Sequence, residues 1–312
     1  MIVEISTHGS TLKRNHDSFV IINSEEKIEI PAEKVDAILI SANSLVSSQA
    51  IRLAMEKQIH IVFTSWSGNP FARVWASSQG KATDLRRWQY LNQNSSTGLK
   101  VSLDIVVKKL KRQKKFLSEL KSNRAKRIQV LDEAIRTFDD VLQKLKNQNM
   151  PKDSLLGFEG WCAKKYFEAI STILPRKWKF AERTQHPARD AFNAALNYIY
   201  GLGYSSVEKV IILTGLDPNA GFYHADSYGK PTLSYDIMEL VRPVMDKSIV
   251  SLFTKKQIRV NWFEYQNNAV FLAKNGRIRV ITKYIEENKK TVEEEAWNYC
   301  RKIIKMFEKK NN

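Results

Sequence analysis

Residues 30–74 read IPAEKVDAILISANSLVSSQAIRLAMEKQIHIVFTSWSGNPFARV, and this stretch decides the architecture expected of the first quarter of the chain. AILIS, HIVFTSW and FARVW are short runs dominated by Ile, Val, Phe and Trp, the composition of strands. Between the first two lies SSQAIRLAMEKQ, where Ala50, Leu53 and Ala54 fall on one helical face. Upstream, SFVIIN and KIEI carry the same strand signature and are separated by the polar turn Ser24-Glu25-Glu26. The expectation is a small antiparallel β domain with one helix.

Beyond about residue 85 the pattern becomes helical. Ile128, Leu131, Ile135, Phe138, Leu142 and Leu145 alternate spacings of three and four, a seam that packs on another helix. Pro151 and Asp153 punctuate that helix. Further helical stretches are expected over 159–173, 188–200, 204–215, 233–253 and 291–309, and KNGR at 274–277 reads as a turn between two apolar runs. The fold class expected is α+β, with a β-rich domain over 1–82 and a larger all-α catalytic domain over 83–312, the boundary falling between 78 and 90.

Lys and Arg number 50 against 33 Asp and Glu, a formal net charge of +17 over 312 residues. An excess of that size makes most sense beside a polyanion. No run reaches ~18 consecutive apolar residues, so no membrane-spanning helix is expected, and the N-terminus lacks the pattern of a secretory signal. Cys162 and Cys300 stand without CxxC spacing and read as buried thiols in an intracellular, cytoplasmic protein. The charge concentrates in KKLKRQKKFLSELKSNRAKR, residues 108–127, with ten basic residues and one acidic. Such a run can be a solvated helix face. Like charges at helical spacing destabilise an isolated helix, however, and a phosphate backbone would relieve them. Lys108, Lys109, Lys111, Arg112, Lys114 and Lys115 are therefore candidate nucleic-acid contacts.

In GFYHADSYGKPTLSYDIMELVRP, residues 221–243, His224 precedes a turn-forming segment and a helix that carries Asp236 and Glu239 on one face. Two carboxylates on one face repel unless one is protonated or a cation lies between them. Mg²⁺ or Mn²⁺ takes carboxylate oxygens, and Mn²⁺ accepts an imidazole more readily. One histidine with one or two acids is an incomplete site. Glu159, between Gly157 and Gly160 in LLGFEGWCAKKYFEAI, is the candidate for the missing ligand; it is equally an acid favoured at a helix start by the dipole.

Together these segments resemble the CRISPR-associated integrase/endonuclease family, the catalytic subunit of spacer acquisition. The resemblance rests on Glu159-Gly160 with Tyr166, Arg189-Asp190 with Asn193, Tyr200-Gly201, Gly215-Leu216-Asp217-Pro218, Gly221-Phe222, His224, Gly229, Pro231, Asp236, Glu239 and Arg242-Pro243. It is dense over 155–245, and residues 30–74 resemble the family's strand–helix–strand passage. It implies metal ligands at Glu159, His224 and Glu239, with Mg²⁺ or Mn²⁺ as cofactor and Asp236 as a supporting acid among the catalytic residues. The last ligand is an Asp in some members. Ala225-Asp226 departs from the residues that often follow the histidine. Arg189 and Arg242 join the candidate nucleic-acid contacts.

The chemistry so implied is phosphoryl transfer at DNA, with a 3′-hydroxyl as nucleophile for integration or water for cleavage. The implied partners are double-stranded and branched DNA, a second copy of the chain through the β domain, and the small second subunit of the acquisition complex; no membrane is expected. A structure-specific metal-dependent repair nuclease and a non-catalytic DNA-binding scaffold are the alternative functions.

Overall fold

The computed structural model describes residues 1–35, 37–57, 59–64, 70–74, 82–122, 129–146, 150–224 and 229–311; Ile128 and Asp226 lie outside them. The chain divides into two compact units, Met1–Gly80 and Lys81–Asn312, each with its own apolar core.

The first unit contains β1 (Ile2–Ile5), β2 (Ser10–Asn15), β3 (Ser18–Ile22), β4 (Lys27–Pro31), β5 (Ala37–Ile40), β6 (Ser44–Val46), α1 (Ser48–Glu56), β7 (His60–Thr64) and β8 (Pro70–Val74). They form two four-stranded sheets, ordered β1-β5-β7-β8 and β4-β3-β2-β6. The expectation of an antiparallel domain is corrected. β1–β5, β5–β7 and β2–β6 are parallel, while β2–β3, β3–β4 and β7–β8 are antiparallel. The reason lies in residues 30–74 themselves. β5 reads Ala-Ile-Leu-Ile without alternation, the pattern of a strand covered on both faces. Residues 41–59, α1 among them, are long enough for the crossover that a parallel pair requires. Ser47 caps α1 by accepting from the Ala50 N–H at 3.2 Å, and Ala50, Leu53 and Ala54 are fully buried, as their spacing predicts.

The second unit comprises α2 (Ala82–Asn92), α3 (Ser96–Ser122), α4 (Gln129–Lys144), α5 (Lys152–Ile173), α6 (Ala191–Leu213), α7 (Thr232–Thr254), β9 (Phe263–Gln266), β10 (Ala269–Leu272), α8 (Lys274–Glu287) and α9 (Lys289–Asn311). It is not all-α. β9 and β10 pair antiparallel across Asn267 and Asn268, both at positive φ, which Asn tolerates in tight hairpin turns. KNGR opens α8 instead of forming a turn. The two helices expected over 188–200 and 204–215 are one, α6. Gly203 breaks nothing; a Cβ there would stand 2.7 Å from the Met245 sulfur, so the glycine permits close approach to α7. Asp190 caps α6 through the Asn193 N–H at 2.8 Å, which gives the Arg189-Asp190…Asn193 pattern a structural role.

α7 lies at the centre. Leu233, Ile237, Met238, Leu240, Val241, Met245, Ile249 and Phe253 are buried around its circumference, the mark of a helix enclosed by others. Pro243 sits inside it and removes the N–H that would bond the Glu239 carbonyl. Asp246, also fully buried, accepts from the Tyr166 hydroxyl at 2.9 Å and from the Tyr200 hydroxyl. Both cysteines are buried and free. Among the described residues no helix is long and apolar enough to cross a membrane.

Ahead of α7 the chain makes a tight turn, held from α2 and α3. Gln89 donates to the Asp217 and Ala220 carbonyls at 2.8 and 2.6 Å, Gln93 to Gly221 at 3.0 Å, and Ser102 to Phe222 at 2.8 Å. A Cβ on Gly221 would lie 2.7 Å from the Thr232 backbone. Gly221→Ala is therefore expected to destabilise the second unit by about 1–3 kcal/mol in urea unfolding. Burial pushes the Asp246 carboxyl up to about 6, against the lowering pull of Tyr200 and Tyr166. The folded state then binds a proton that the unfolded chain releases at its ordinary value of 3.8, so stability falls as pH rises between these values. Unfolding free energies of the wild type relative to Asp246→Asn should drop by about 2 kcal/mol between pH 4 and pH 7.

Candidate active site

The acids of α7 are built into different surroundings. Asp236 is fully buried. Its Oδ2 accepts from the Phe222 and Tyr223 N–H groups at 2.5 and 2.9 Å, and its Oδ1 from the His224 N–H at 2.9 Å. Oδ1 also lies 2.8 Å from His224 Nδ1. Four contacts saturate this carboxylate. A carboxylate that accepts three N–H groups leaves Nδ1–H to donate to it, which fixes the ring and leaves the Nε2 lone pair for a ligand, the arrangement that orients metal-binding imidazoles.

Glu239, three residues on, is 2% exposed and faces two cations. Its Oε1 pairs with Arg242 Nη1 at 2.6 Å, and its Oε2 pairs with Lys109 Nζ. Burial would raise the Glu239 carboxyl; Arg242 and Lys109 outweigh it and hold it down at about 2. Arg242 is anchored in turn, donating to the Tyr204 hydroxyl at 2.7 Å and lying 5.2 Å over the Tyr200 ring.

Glu159 reaches the same place from α5, where Lys109 Nζ pairs with its Oε1. It lies two turns inside the helix, not at its start, so the dipole explanation of this acid does not apply. Its side chain is 20% exposed, an opening toward solvent that Glu239 lacks. Glu159, Glu239 and Asp236 all act on Tyr223, whose buried hydroxyl has no hydrogen-bond partner among the described residues.

Among the described residues no three acidic, imidazole or thiol groups converge on one point, and the Lys109 ammonium pairs with two of the three expected ligands. The donor set nevertheless suits a hard divalent cation: two carboxylates and one imidazole oriented through its other nitrogen. The unpartnered Tyr223 hydroxyl adds a polar atom that a hydrated ion would satisfy.

The basic run of α3 divides. Lys111 and Lys115 are exposed. Lys108 pairs with Asp104 at 3.2 Å, Lys114 with Asp139, and Arg112 with Glu295 at 2.6 Å while donating to the Leu240 carbonyl beside Pro243. Carboxylates of the fold thus meet much of the charge that appeared uncompensated. Lys109 is the clearest correction: it is 4% exposed and sits among the acids, away from any phosphate surface. Its spacing carried the signal. Ser102, Ile105, Lys109, Gln113 and Phe116 follow one another by three or four residues and are all buried on one stripe of α3. Arg242 likewise serves Glu239. Arg189 is exposed on the loop before α6, 3.8 Å from Glu182, and joins none of the carboxylate contacts.

The family model described as CRISPR associated protein Cas1 matches residues 3–286. A CRISPR-associated exonuclease Cas4/endonuclease Cas1 fusion of Leptospira interrogans is 26% identical over 311 residues; the match takes in 96% of this chain and 57% of that longer protein. A CRISPR-associated endonuclease Cas1 of Archaeoglobus fulgidus is 29% identical over 274 residues, 83% of this chain and 79% of that one. In structure, a Cas1 protein of Thermotoga maritima aligns over 97% of both chains, with a TM-score of 0.82 at 20% identity. The match to the family model extends through both units and both acidic helices, and the chain belongs to the CRISPR-associated Cas1 family.

Proposed function

We propose that the chain inserts new spacer DNA into a CRISPR array by phosphoryl transfer and also cleaves DNA, with Glu159, His224 and Glu239 holding Mg²⁺ or Mn²⁺. The observation that carries this reading is the imidazole locked by a saturated Asp236 beside the buried Glu239. Relatives named as Cas1 endonucleases support the reaction class. A casposase bound to integration product has the same fold, which agrees with strand transfer.

The bound ion would polarise the target phosphodiester and stabilise charge on its oxygens. The chain's own residues prepare that site. Asp236 keeps His224 in one tautomer and orientation. Arg242 holds one oxygen of Glu239 and leaves the other facing Lys109, which also pairs with Glu159. In strand transfer a 3′-hydroxyl oxygen forms a bond to the target phosphorus, the target's own 3′-oxygen leaves, and one phosphodiester replaces another. No nucleotide hydrolysis is needed for that exchange. With water as nucleophile the same displacement is hydrolysis.

Lys111 and Lys115 are the members of the α3 run free to face phosphates, and Arg189 offers a further contact. A second copy of the chain would pack on the first unit, where Ile28, Leu45 and Phe71 expose apolar side chains on the edge strands β4, β6 and β8. A chain of this fold occurs in a Cas6-RT-Cas1–Cas2 complex, and we assign Cas2, the small second subunit, as partner. The setting is the cytoplasm, where the array and the captured DNA lie.

In a Mn²⁺-dependent strand-transfer assay on branched DNA, Glu159→Ala, His224→Ala and Glu239→Ala should each lose activity while retaining DNA affinity; full activity in any of them removes that residue from the ligand set. Loss of the oriented imidazole in Asp236→Asn should cost about 10–100-fold in Mn²⁺ affinity or rate. Replacing both Lys111 and Lys115 with Gln should lower the salt slope of DNA binding by about 2, and an unchanged slope would mean that this face meets protein instead.

A further inference from the structure

Lys109 is the one group at the site that neither the metal reading nor the phosphate reading uses. Its side chain is 5% exposed, and its ammonium pairs with Glu159 and Glu239 together. It therefore occupies the space where the two carboxylates of the proposed ligand set meet. A divalent ion added beside it would face a like charge a few ångströms away in a poorly screened interior. An ion that replaces it meets the same two carboxylates with twice the charge.

Two further observations make replacement feasible. A lysine is a compact charge on a flexible stem, without the rigid fork that would fasten an arginine in place. One turn along α3, where residues four apart are neighbours, the Gln113 Oε1 is buried and has no hydrogen-bond partner among the described residues. It offers the displaced ammonium an acceptor. Glu239 keeps its second cation throughout, since Arg242 holds the opposite oxygen.

We propose that Lys109 is the resident counter-cation of this site, holding Glu159 and Glu239 together until a divalent ion takes its place by exchange, with Gln113 receiving the ammonium. The proposal rests on the ligand assignment above. Lys109 is thus a positioning residue: it keeps two buried carboxylates paired in the metal-free protein and sets how tightly the ion binds.

The test is calorimetric titration of Mn²⁺ into the full chain, with thermal melting in its absence, for wild type, Lys109→Met, Lys109→Gln and Glu159→Gln. Without metal, Lys109→Met should melt below wild type. It should bind Mn²⁺ more tightly, by about tenfold or more, since a competing charge has gone. It should also gain more in melting temperature when Mn²⁺ is added. Gln113→Leu should weaken Mn²⁺ binding in the wild type and leave it unchanged in Lys109→Met. Mn²⁺ binding no tighter in either Lys109 variant, with Glu159→Gln abolishing it, would overturn the exchange and leave the lysine a plain structural ion pair. Equal binding by Glu159→Gln and wild type would overturn the ligand assignment itself. Lys109 variants that fold only with Mn²⁺ present would support the exchange; variants that fail to fold under either condition would overturn it.

Discussion

The second unit is organised around the cost of burying negative charge. α7 is enclosed by apolar side chains on nearly every side, yet it carries Asp236, Glu239 and Asp246, each fully or almost fully buried. An isolated carboxylate in such a place would cost several kcal/mol. Each is met differently: Asp236 by three backbone N–H groups and an imidazole, Glu239 by a guanidinium and an ammonium, and Asp246 by two tyrosine hydroxyls. The neighbours follow from that requirement. The turn before α7 folds back so that its N–H groups reach Asp236, α3 contributes Lys109 from a stripe that is otherwise uncharged, and α6 supplies Tyr200.

These three solutions separate structure from chemistry. A carboxylate whose lone pairs are filled by backbone cannot take a ligand, and Asp236 acts through the histidine it orients. Asp246 braces Tyr166 and Tyr200, the second of which lies under Arg242. Of the acids at this site, Glu239 and Glu159 are the two paired with a lysine, and in the proposed reading they are the two that would exchange it for a divalent ion.

Much of this was legible in the sequence. The separation of Asp236 and Glu239 by one helical turn placed them on one face, and Glu159 stood out because its neighbours were glycines and apolar residues. The helix over 48–56 and the seam from Leu131 followed from periodicity alone. Other features were hidden for physical reasons. Parallel pairing is carried by the length of the crossover between β5 and β7 and by the unalternating β5, and β-rich composition alone shows neither. Gly203 reads as a breaker unless the close approach of α7 is known. Lys109 was concealed by its own neighbours: among so many surface lysines, charge counting favoured solvent, whereas the three-and-four spacing around it pointed inward. Asp139 and Glu295 neutralise part of the run from other helices, which no local window shows, whereas Asp104 stands four residues before Lys108 on α3 itself, just ahead of the run.

The account stands on one claim, that the carboxylates of α5 and α7 and the histidine before α7 bind a single divalent ion. Anomalous diffraction from crystals soaked in Mn²⁺, recorded at the manganese absorption edge, tests it most directly. The account predicts one strong peak within coordination distance of Glu159, Glu239 and His224 Nε2, with Asp236 on His224 Nδ1 and outside the coordination sphere. Manganese bound elsewhere, or bound through Asp236 with His224 turned away, would contradict it.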